Sequence, residues 1–395
     1  MFRVLVLSIV LKLGLSYFSV VKIRPTPSIV RGATSSAYEQ YIAAKRDSDR
    51  QLKEESVQRQ YHEHLDRIAA GDDEAIASLG TIDSWRKFAA PGITISPSGY
   101  STKGFDTLYA AKNNILNASY HSTVSQSLDA RGFAILGEDL FNWKAHDVDM
   151  EAIALTMSNL VAAGWPPVFI FLFDQPWRLC LRLFDLMAPI LNDEETTLEA
   201  SMHAWALEKP PIPSTDSSSS SSSTKEKVGS NFGVPHRDIT FKNCHNEVDG
   251  SPDILSIWIP VVDVNSENGG MMVIPREADK QFSIDNLPKD QDPFSHRFPY
   301  ASVKPLSPIS AGTTLIWHPN LIHWGAACSP YSTLPPRKSI AMAFRVRDER
   351  RKSTEKEITR YGRLPFRRQE LLEGGPDYKA RLRMIVKSLI LYNVW

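Results

Sequence analysis

Two histidines and one aspartate in this sequence have the side-chain types and the spacing of a metal-ligand set. His236 and Asp238 stand on either side of one residue, and residues two apart on an extended segment point to the same side. His323 follows the apolar pair Leu321-Ile322, so it would approach the same metal from the end of a distant strand. Two histidines and a carboxylate on one face of a metal are typical of non-haem Fe(II) oxygenases, because three positions stay open, two for a 2-oxo acid and one for O₂.

An arginine further along the chain could supply the second requirement of such a site. The far carboxylate of a 2-oxo diacid needs a fixed cation, and the planar fork of arginine can pair both oxygens where lysine cannot. Arg337 opens a strong strand pattern fourteen residues after His323, which makes it the predicted anchor. Arg345, in the same strand pattern, is a second candidate for the role.

The triplet around His236 also fits a different chemistry. His236-Arg237-Asp238 followed by Asn243 has the spacing of the catalytic loop of protein kinases. A kinase also needs a glycine-rich strand-turn-strand, a strand lysine paired with a helix glutamate, and D-F-G downstream. The sequence does not contain this set, and the residues after Asn243 lead into a region rich in strand signals. We therefore interpret the kinase-like spacing as coincidence.

The elements that must position these residues are predominantly short strands. Ile254 to Val264 is almost continuously apolar, as expected for a strand buried on both faces. Asn268-Gly269 is a tight-turn signal, and Thr313 to Trp317 and Ile340 to Val346 have strand patterns. Short strands separated by loops rich in proline and glycine predict a mainly β protein with flanking helices, folded as a double-stranded β-helix, that is, a jelly-roll or cupin-type barrel. A helical N-terminal extension and a C-terminal helix complete the predicted fold.

Composition divides the chain into three predicted parts. Residues 1–36 are predicted to be a targeting segment, residues 37–127 a helical and loop-rich extension, and residues 128–395 the domain that carries the candidate site. Inside that domain, residues 212–230 include seven consecutive serines and are too polar to bury a core, so we predict a disordered surface loop. Strand patterns stand on both sides of it, which favours a loop within one domain over a linker between two.

The first part of the chain has the features of a targeting segment. It carries Arg3, Lys12 and an apolar run, and no acidic residue precedes Glu39, as in segments that direct proteins to the secretory route or to an organelle. The predicted destination is a plastid, a mitochondrion or the endomembrane system, with the segment cleaved or disordered in the mature protein. A disordered or interfacial N-terminus without a targeting role is the alternative.

Composition also excludes several classes of partner and site. Lys and Arg together number 45, as do Asp and Glu, so no net charge draws the protein toward nucleic acid. The three cysteines lie far apart and predict neither a disulfide framework nor a cysteine metal site. The apolar stretch from Val168 to Ile190 is interrupted by four charged residues, so we predict buried core there and no membrane span in the mature protein.

Five stretches of the sequence resemble the phytanoyl-CoA dioxygenase family. They are Pro235 to Asp238, Asp253 to Trp258, Ser266 to Pro275, Gly312 to His323 and Arg337 to Ala341. In that family the equivalent stretches are a strand with the HxD triplet, a strand with a tryptophan, a hairpin, a strand that ends on the second histidine, and an arginine that opens the last strand. The resemblance spans residues 128 to 348.

The resemblance implies a role for each of these residues. His236, Asp238 and His323 would bind Fe(II), Arg337 would bind 2-oxoglutarate, and Trp258 would line the co-substrate pocket. The implied activity is that of a dioxygenase that takes O₂ and hydroxylates a small organic or acyl substrate, forming succinate and CO₂, with ascorbate as a candidate accessory. Related halogenating enzymes carry a small residue in place of the carboxylate, so Asp238 favours hydroxylation over halogenation.

The sequence departs from the family in two places. The interval between His323 and Arg337 is longer than is usual, which keeps Arg345 open as the anchor. The family often has a small hydroxyl residue two positions after the last histidine, where this chain has Gly325, so one hydrogen bond to 2-oxoglutarate is missing or comes from another group. His318 is close to the last ligand in sequence, and we expect it to set the strand end.

Two other functions stay open at the level of the sequence. One is a non-catalytic jelly-roll protein that binds a ligand or a partner without oxidation. The other is a cupin-type metalloenzyme that uses no 2-oxoglutarate. The intact triad favours catalysis, because a binding module has no need of an open iron site.

Overall fold

A computed structural model of the chain describes residues 56, 59–100, 118–199, 201–212, 233–284, 299–347 and 366–392. The predicted targeting segment lies outside the described residues, as do residues 213–230 of the predicted serine-rich loop. The predicted extension, residues 37–127, is described only in part. The chain divides into two compact units, Met1–Gly80 and Thr81–Trp395.

The described part of the first unit is helical. Helix α1 covers residues 59–70 and α2 covers Asp73–Ser78. Asp72 caps α2 by accepting a hydrogen bond from the backbone N–H of Ala75 at 3.0 Å, which satisfies one of the donors left free at a helix start. All the candidate site residues belong to the second unit.

The second unit is built around two antiparallel sheets. Its strands are β1 (Phe133–Leu136), β2 (Thr197–Leu198), β3 (His203–Ala206), β4 (Ile254–Pro260), β5 (Met271–Val273), β6 (Lys304–Pro305), β7 (Thr314–Trp317), β8 (His323–Gly325), β9 (Lys338–Arg345) and β10 (Phe366–Arg367). The large sheet has the order β1-β7-β4-β9-β2-β10, and β3 also pairs with β9. The small sheet has the order β6-β5-β8.

Helices and single turns of 3-10 helix flank these sheets. The α-helices are α3 (Ile82–Arg86), α4 (Ala118–Arg131), α5 (Met150–Ala162), α6 (Asp174–Leu191), α7 (Phe241–Cys244), α8 (Arg368–Leu372) and α9 (Tyr378–Tyr392). The 3-10 segments are Glu138–Leu140, Trp143–His146, Pro167–Leu172, Arg276–Ala278 and Tyr300–Ser302.

Strand β4 shows why part of the sequence is apolar without interruption. It lies between β7 and β9, and all of its residues are buried. On one side of the large sheet, Phe344 of β9 packs edge-on against Phe184 of α6, with 4.8 Å between ring centroids. On the other side, Trp258 and Ala341 line a recess that faces the small sheet. Because both faces are covered, the strand has no polar face.

The two sheets share one apolar core. Phe133, Trp258 and Leu315 of the large sheet pack in a single cluster with Met271 and Val273 of the small sheet. Sheets packed face to face form the architecture of a jelly roll, so the predicted class, mainly antiparallel β with flanking helices, is confirmed. Within the described ranges the two sheets do not join into a closed barrel. The edge strands of the small sheet, β6 and β8, have 2 and 3 residues.

Two predicted helical regions are confirmed. The stretch from Val168 to Ile190 forms a 3-10 segment followed by α6, and most of its side chains are buried. The predicted C-terminal helix is α9, in which Leu382, Ile385 and Leu389 are buried. In the described part of the chain, no helix is both long enough and apolar enough to cross a membrane.

A buried ion pair ties α9 to the start of α6. Nη1 of Arg381 lies 2.7 Å from Oδ1 of Asp174, and the two side chains are 0% and 1% exposed. The same carboxylate accepts hydrogen bonds from the hydroxyls of Thr94 at 2.7 Å and Ser96 at 2.8 Å. The pair therefore holds a loop and two helices together behind the large sheet.

We expect Arg381→Ala to lower the free energy of unfolding by about 3–5 kcal/mol, because it leaves a buried carboxylate without its cation. Urea unfolding of the variant and the parent measures this loss. The matched control is Arg86→Ala, which removes an exposed pair with Asp83 and should cost no more than about 1 kcal/mol. Equal losses in the two variants would contradict the assignment of the buried pair.

Candidate metal centre

Backbone pairing brings the two candidate histidine ligands together. His236 and His323 face each other in an isolated antiparallel bridge. The N–H of His236 donates to the carbonyl of His323 at 3.1 Å, and the N–H of His323 donates back at 3.0 Å. Residues directly opposite in an antiparallel pair project to the same side. The two imidazoles therefore lie side by side, with 4.5 Å between ring centroids.

Asp238 completes the group. Its backbone N–H donates to the carbonyl of Pro319 at 2.8 Å, which fixes the turn after His236. Oδ1 of Asp238 lies 3.6 Å from Nε2 of His236 and 3.7 Å from Nε2 of His323. The three ligand atoms lie within 4.8 Å of one another. Two imidazole nitrogens and one carboxylate oxygen at such separations suit a borderline divalent cation such as Fe(II).

The imidazole tautomers also fit metal binding. Nδ1 of His236 lies 2.8 Å from the carbonyl oxygen of Val234, and Nδ1 of His323 lies 3.0 Å from that of Leu321. A carbonyl oxygen only accepts, so each Nδ1 carries the proton. Each Nε2 then presents a lone pair toward Asp238. Metal-binding histidines are usually oriented by such a hydrogen bond from the other ring nitrogen.

Electrostatics couple the three side chains. Burial alone would raise the pKa of Asp238, but the two imidazoles outweigh it and hold that pKa below its ordinary value. Burial opposes protonation of His236 as well, yet the hydrogen bond and charge of Asp238 raise its pKa. For His323 burial dominates and lowers the pKa. An ionised carboxylate and an imidazole that stays neutral at neutral pH are the forms that bind a cation.

Beside this group lies an open recess between the sheets. Its lining includes Asp238, His323, Trp258 and Arg337, so four of the five predicted site residues meet in one space. The remaining lining residues are Ser201, Trp205, Ser256, Ile257, Met271, Trp317, Gly325, Ala341, Met342 and Ala343. None of these remaining lining residues carries a charged side chain.

Arg337 is a buried cation that lacks an anionic partner among the described residues. Its side chain is 3% exposed. Nη1 donates to the carbonyl of Gly269 at 2.6 Å, and the guanidinium carbon lies 5.7 Å from the ring centroid of Trp258. Nε has no hydrogen-bond partner within the described ranges. Burial lowers the pKa of Arg337 to about 10. A buried cation in these surroundings would be stabilised by pairing with a carboxylate.

Arg345, the second candidate for the anchor, is engaged elsewhere. Its Nε lies 2.5 Å from Oε1 of Glu199, and it is at the opposite end of β9 from Arg337. It is also not among the residues that line the recess. The geometry therefore favours Arg337 over Arg345.

His245 and His318 form a second pair of histidines, and no sequence pattern predicted that they would meet. Nε2 of His245 lies 3.0 Å from Nδ1 of His318, and both rings are buried. Phe241 stacks on His245 with 4.0 Å between centroids, and burial lowers the pKa of His318 to about 3. His318 thus stays neutral and links α7, which follows Asp238, to the chain that leads to His323.

Arg237, the middle residue of the triplet, braces the same region. Nη2 of Arg237 lies 2.7 Å from Oδ2 of Asp279, and Nη1 donates to the carbonyl of Asn320. Because Arg237 points away from the two ligands on either side of it, as alternation on an extended segment requires, its salt bridge holds their backbone from behind. Only the tertiary contact with Asp279 reveals this role.

Two imidazoles and a carboxylate beside a buried arginine, held on a jelly roll, are typical of one class of protein. This class is the non-haem iron enzymes that use a 2-oxo acid. The model of the family "Phytanoyl-CoA dioxygenase (PhyH)" matches residues 184–329. This region of the chain carries the phytanoyl-CoA dioxygenase domain, and the resemblance drawn from the motifs is confirmed. The matched region supports an enzyme of the Fe(II)- and 2-oxoglutarate-dependent oxygenase superfamily, with Fe(II) and 2-oxoglutarate as the cofactors that the sequence predicted; ascorbate stays a prediction.

The chain is also similar to several solved structures. The non-haem α-ketoglutarate-dependent epimerase SnoN from nogalamycin biosynthesis has 16% identity, with 58% of this chain and 82% of that chain covered and a TM-score of 0.38. The carbocyclase SnoK from the same biosynthesis has 14% identity, with 67% of this chain and 94% of that chain covered and a TM-score of 0.38. EctD from S. alaskensis has 16% identity, with 59% of this chain and 77% of that chain covered and a TM-score of 0.35. At these levels none of their reactions is transferred to this chain. Comparison with curated proteins gave no match.

Metal affinity should depend on pH through His236. Its pKa lies above the ordinary value of 6.5, so protons begin to compete with the metal at a higher pH than for a free imidazole. We expect the affinity for Mn(II), used as a redox-stable probe, to be constant at alkaline pH. Below the pKa of His236 it should fall about tenfold per pH unit, because one proton must leave for each metal bound.

Titration calorimetry across a pH series measures this dependence. His236→Ala should abolish most of the binding, whereas His64→Ala, which removes a histidine of the first unit, should leave it unchanged. An affinity that does not change as the pH falls to 5 would rule out His236 as a ligand.

Proposed function

We propose that this protein is an Fe(II)- and 2-oxoglutarate-dependent hydroxylase that acts on a small organic or acyl substrate. The observation that carries the proposal is that two members of the His236–Asp238–His323 group, Asp238 and His323, line the same recess as a buried arginine that has no anionic partner in the described ranges. The first suits the metal, and the second suits the distal carboxylate of the co-substrate. Neither alone would specify a 2-oxo acid.

In this proposal His236, Asp238 and His323 hold the iron. Backbone carbonyl groups engage Nδ1 of both imidazoles, which directs Nε2 of each ring toward Asp238 and orients the three side chains for a metal. The bound iron, with 2-oxoglutarate and O₂, supplies the oxidising chemistry, in which decarboxylation of the co-substrate gives succinate and CO₂ and one oxygen atom goes to the substrate. Asp238 keeps the position that halogenating relatives leave to a halide, which supports hydroxylation.

Arg337 and its neighbours bind and orient the co-substrate. The guanidinium is held from behind by the carbonyl of Gly269 and by the face of Trp258, which leaves its remaining donors for a carboxylate. Trp258 and Trp317 are both buried and line the recess. These apolar walls exclude water and lower the local dielectric, so the charge pairing with Arg337 is stronger than it would be at the surface.

The walls of the recess also bear on the substrate. Beyond the iron ligands and Arg337, its described lining is formed by aromatic, aliphatic and small hydroxyl side chains. Such a surface suits a substrate whose reacting part is uncharged and largely hydrocarbon, because a buried charge without a partner is costly. A screen of substrate candidates monitored by succinate release would identify the compound.

The test of the co-substrate assignment compares two arginines. With iron and O₂ present, the parent should convert 2-oxoglutarate to succinate, and Asp238→Ala should abolish this. Arg337→Ala should raise the KM for 2-oxoglutarate by about 10- to 100-fold, since it removes charged hydrogen bonds worth about 1.5–3 kcal/mol.

The matched control is Arg345→Ala, which removes an equivalent charge from the other end of β9 and should leave the KM for 2-oxoglutarate unchanged. A larger effect at Arg345 than at Arg337 would reverse the assignment of the anchor. Metal binding without any succinate formation, in the presence of a broad substrate set, would favour a non-catalytic binding protein.

A further inference from the structure

Gly325 lies where a side chain would collide with the predicted co-substrate anchor. It is the last residue of β8, two positions after His323. A Cβ atom added there would lie 2.5 Å from Nη1, 2.7 Å from Nη2 and 3.0 Å from Cζ of Arg337. Carbon atoms are not tolerated so close to a guanidinium, so any residue other than glycine requires Arg337 to move.

The guanidinium has little freedom to move. Nη1 donates to the carbonyl of Gly269 at 2.6 Å and approaches Sδ of Met271 at 3.3 Å. The face of Trp258 lies 5.7 Å away on another side. The side chain is buried to 3% exposure, so displacement would break the hydrogen bond to Gly269 and disturb the packing of the recess.

The backbone holds Arg337 at this depth despite the long interval after His323. The N–H of Arg337 donates to the carbonyl of Asn268 at 3.0 Å. The Asn268 side-chain amide donates to the carbonyl of Pro335 at 2.8 Å. Lys209 donates to the carbonyl of Ser332 at 2.8 Å. These hydrogen bonds hold the segment between β8 and β9 against Asn268 and Lys209. The backbone position from which the Arg337 side chain reaches the recess is therefore fixed.

We propose that Gly325 is a positioning residue for binding of the 2-oxo acid, because its missing side chain gives the Arg337 guanidinium the space beside β8. In this chain the arginine occupies the volume where a small hydroxyl side chain would otherwise stand, and it binds the distal carboxylate without help from such a hydroxyl. The absent hydroxyl and the position of Arg337 are therefore two parts of one arrangement. This inference rests on the proposed function, and it concerns the co-substrate end of the same site.

The direct test is to add side chains at position 325. Both Gly325→Ala and Gly325→Ser should raise the KM for 2-oxoglutarate by about tenfold or more, the effect of losing a charged hydrogen bond. The affinity for Mn(II) should stay within about twofold of the parent, since the metal ligands do not contact Gly325 in the proposed arrangement. A Gly325→Ser variant with an unchanged or lower KM would overturn the proposal, because it would mean that a hydroxyl fits there beside the arginine.

A double-mutant cycle separates this contact from a general loss of structure. Arg337→Lys alone should weaken 2-oxoglutarate binding, and the added Gly325→Ala should then cost little more, because lysine lacks the two terminal nitrogens that collide with a Cβ. If the two effects simply multiply, the residues are independent and the proposal fails. Gly137→Ala is the matched glycine control, because its added Cβ would meet only the Asp139 side chain, and it should not alter the KM.

Two further outcomes complete the test. Should Gly325→Ala fold poorly, the added Arg337→Lys change should restore its melting temperature toward that of Arg337→Lys alone; failure to do so would count against the proposal. If the parent binds no 2-oxoglutarate, measured by the absorbance change on anaerobic addition to the Fe(II)-loaded protein, the proposed function and this inference both fall. If the parent binds it and Gly325→Ser binds it equally well, only the inference falls.

Discussion

The pair of backbone hydrogen bonds between His236 and His323 is the contact on which the candidate site depends. It joins the segment before α7 to the first residue of β8 at 3.1 and 3.0 Å. Because opposite residues in such a bridge project to the same side, the backbone pairing by itself brings both imidazoles to one place. The carbonyl of Pro319 then fixes Asp238 from the same stretch of chain. A slip of one residue in this pairing would turn His323 to the other face of the small sheet and dismantle the group.

Charge in the recess is balanced only when ligands are present. Arg337 is buried without an anionic partner in the described part of the chain, and Asp238 shares its charge with two imidazoles rather than with a lysine or an arginine. A divalent cation beside Asp238 and a dicarboxylate beside Arg337 would offset both costs. Any ligand that binds only the folded state also stabilises it. Ligands that pair with Asp238 and Arg337 should therefore raise the free energy of unfolding.

The histidines show how one residue type takes different roles in different surroundings. His236 lies beside a carboxylate, which raises its pKa, whereas His318 is enclosed by His245, Phe282 and apolar packing, which lowers its pKa to about 3. In the first pair, His236 and His323, Nε2 of each ring lies 3.6–3.7 Å from Oδ1 of Asp238. In the second pair, one nitrogen of each ring contacts the other ring, Nε2 of His245 and Nδ1 of His318. The contact between His245 and His318 connects α7 with the chain before β8. It therefore helps to hold Asp238, which precedes α7, close to His323.

The sequence by itself determined which residues could form a metal-ligand group, that β4 is buried on both faces, that the chain ends in a packed helix and that the fold is a jelly roll. These features depend on local spacing and on the periodicity of apolar residues, which each segment carries within itself. Tertiary structure decided the rest. Arg345 lost its place as a candidate anchor because Glu199, 146 residues away in sequence, neutralises it. A Cβ at Gly325 would lie 2.5 Å from Nη1 of Arg337, so the guanidinium lies where a side chain would otherwise stand. In the part of the chain that the structure describes, the two sheets do not close into the expected barrel. Charge compensation and the filling of volume arise between segments that only folding brings together, so spacing along the chain does not encode them.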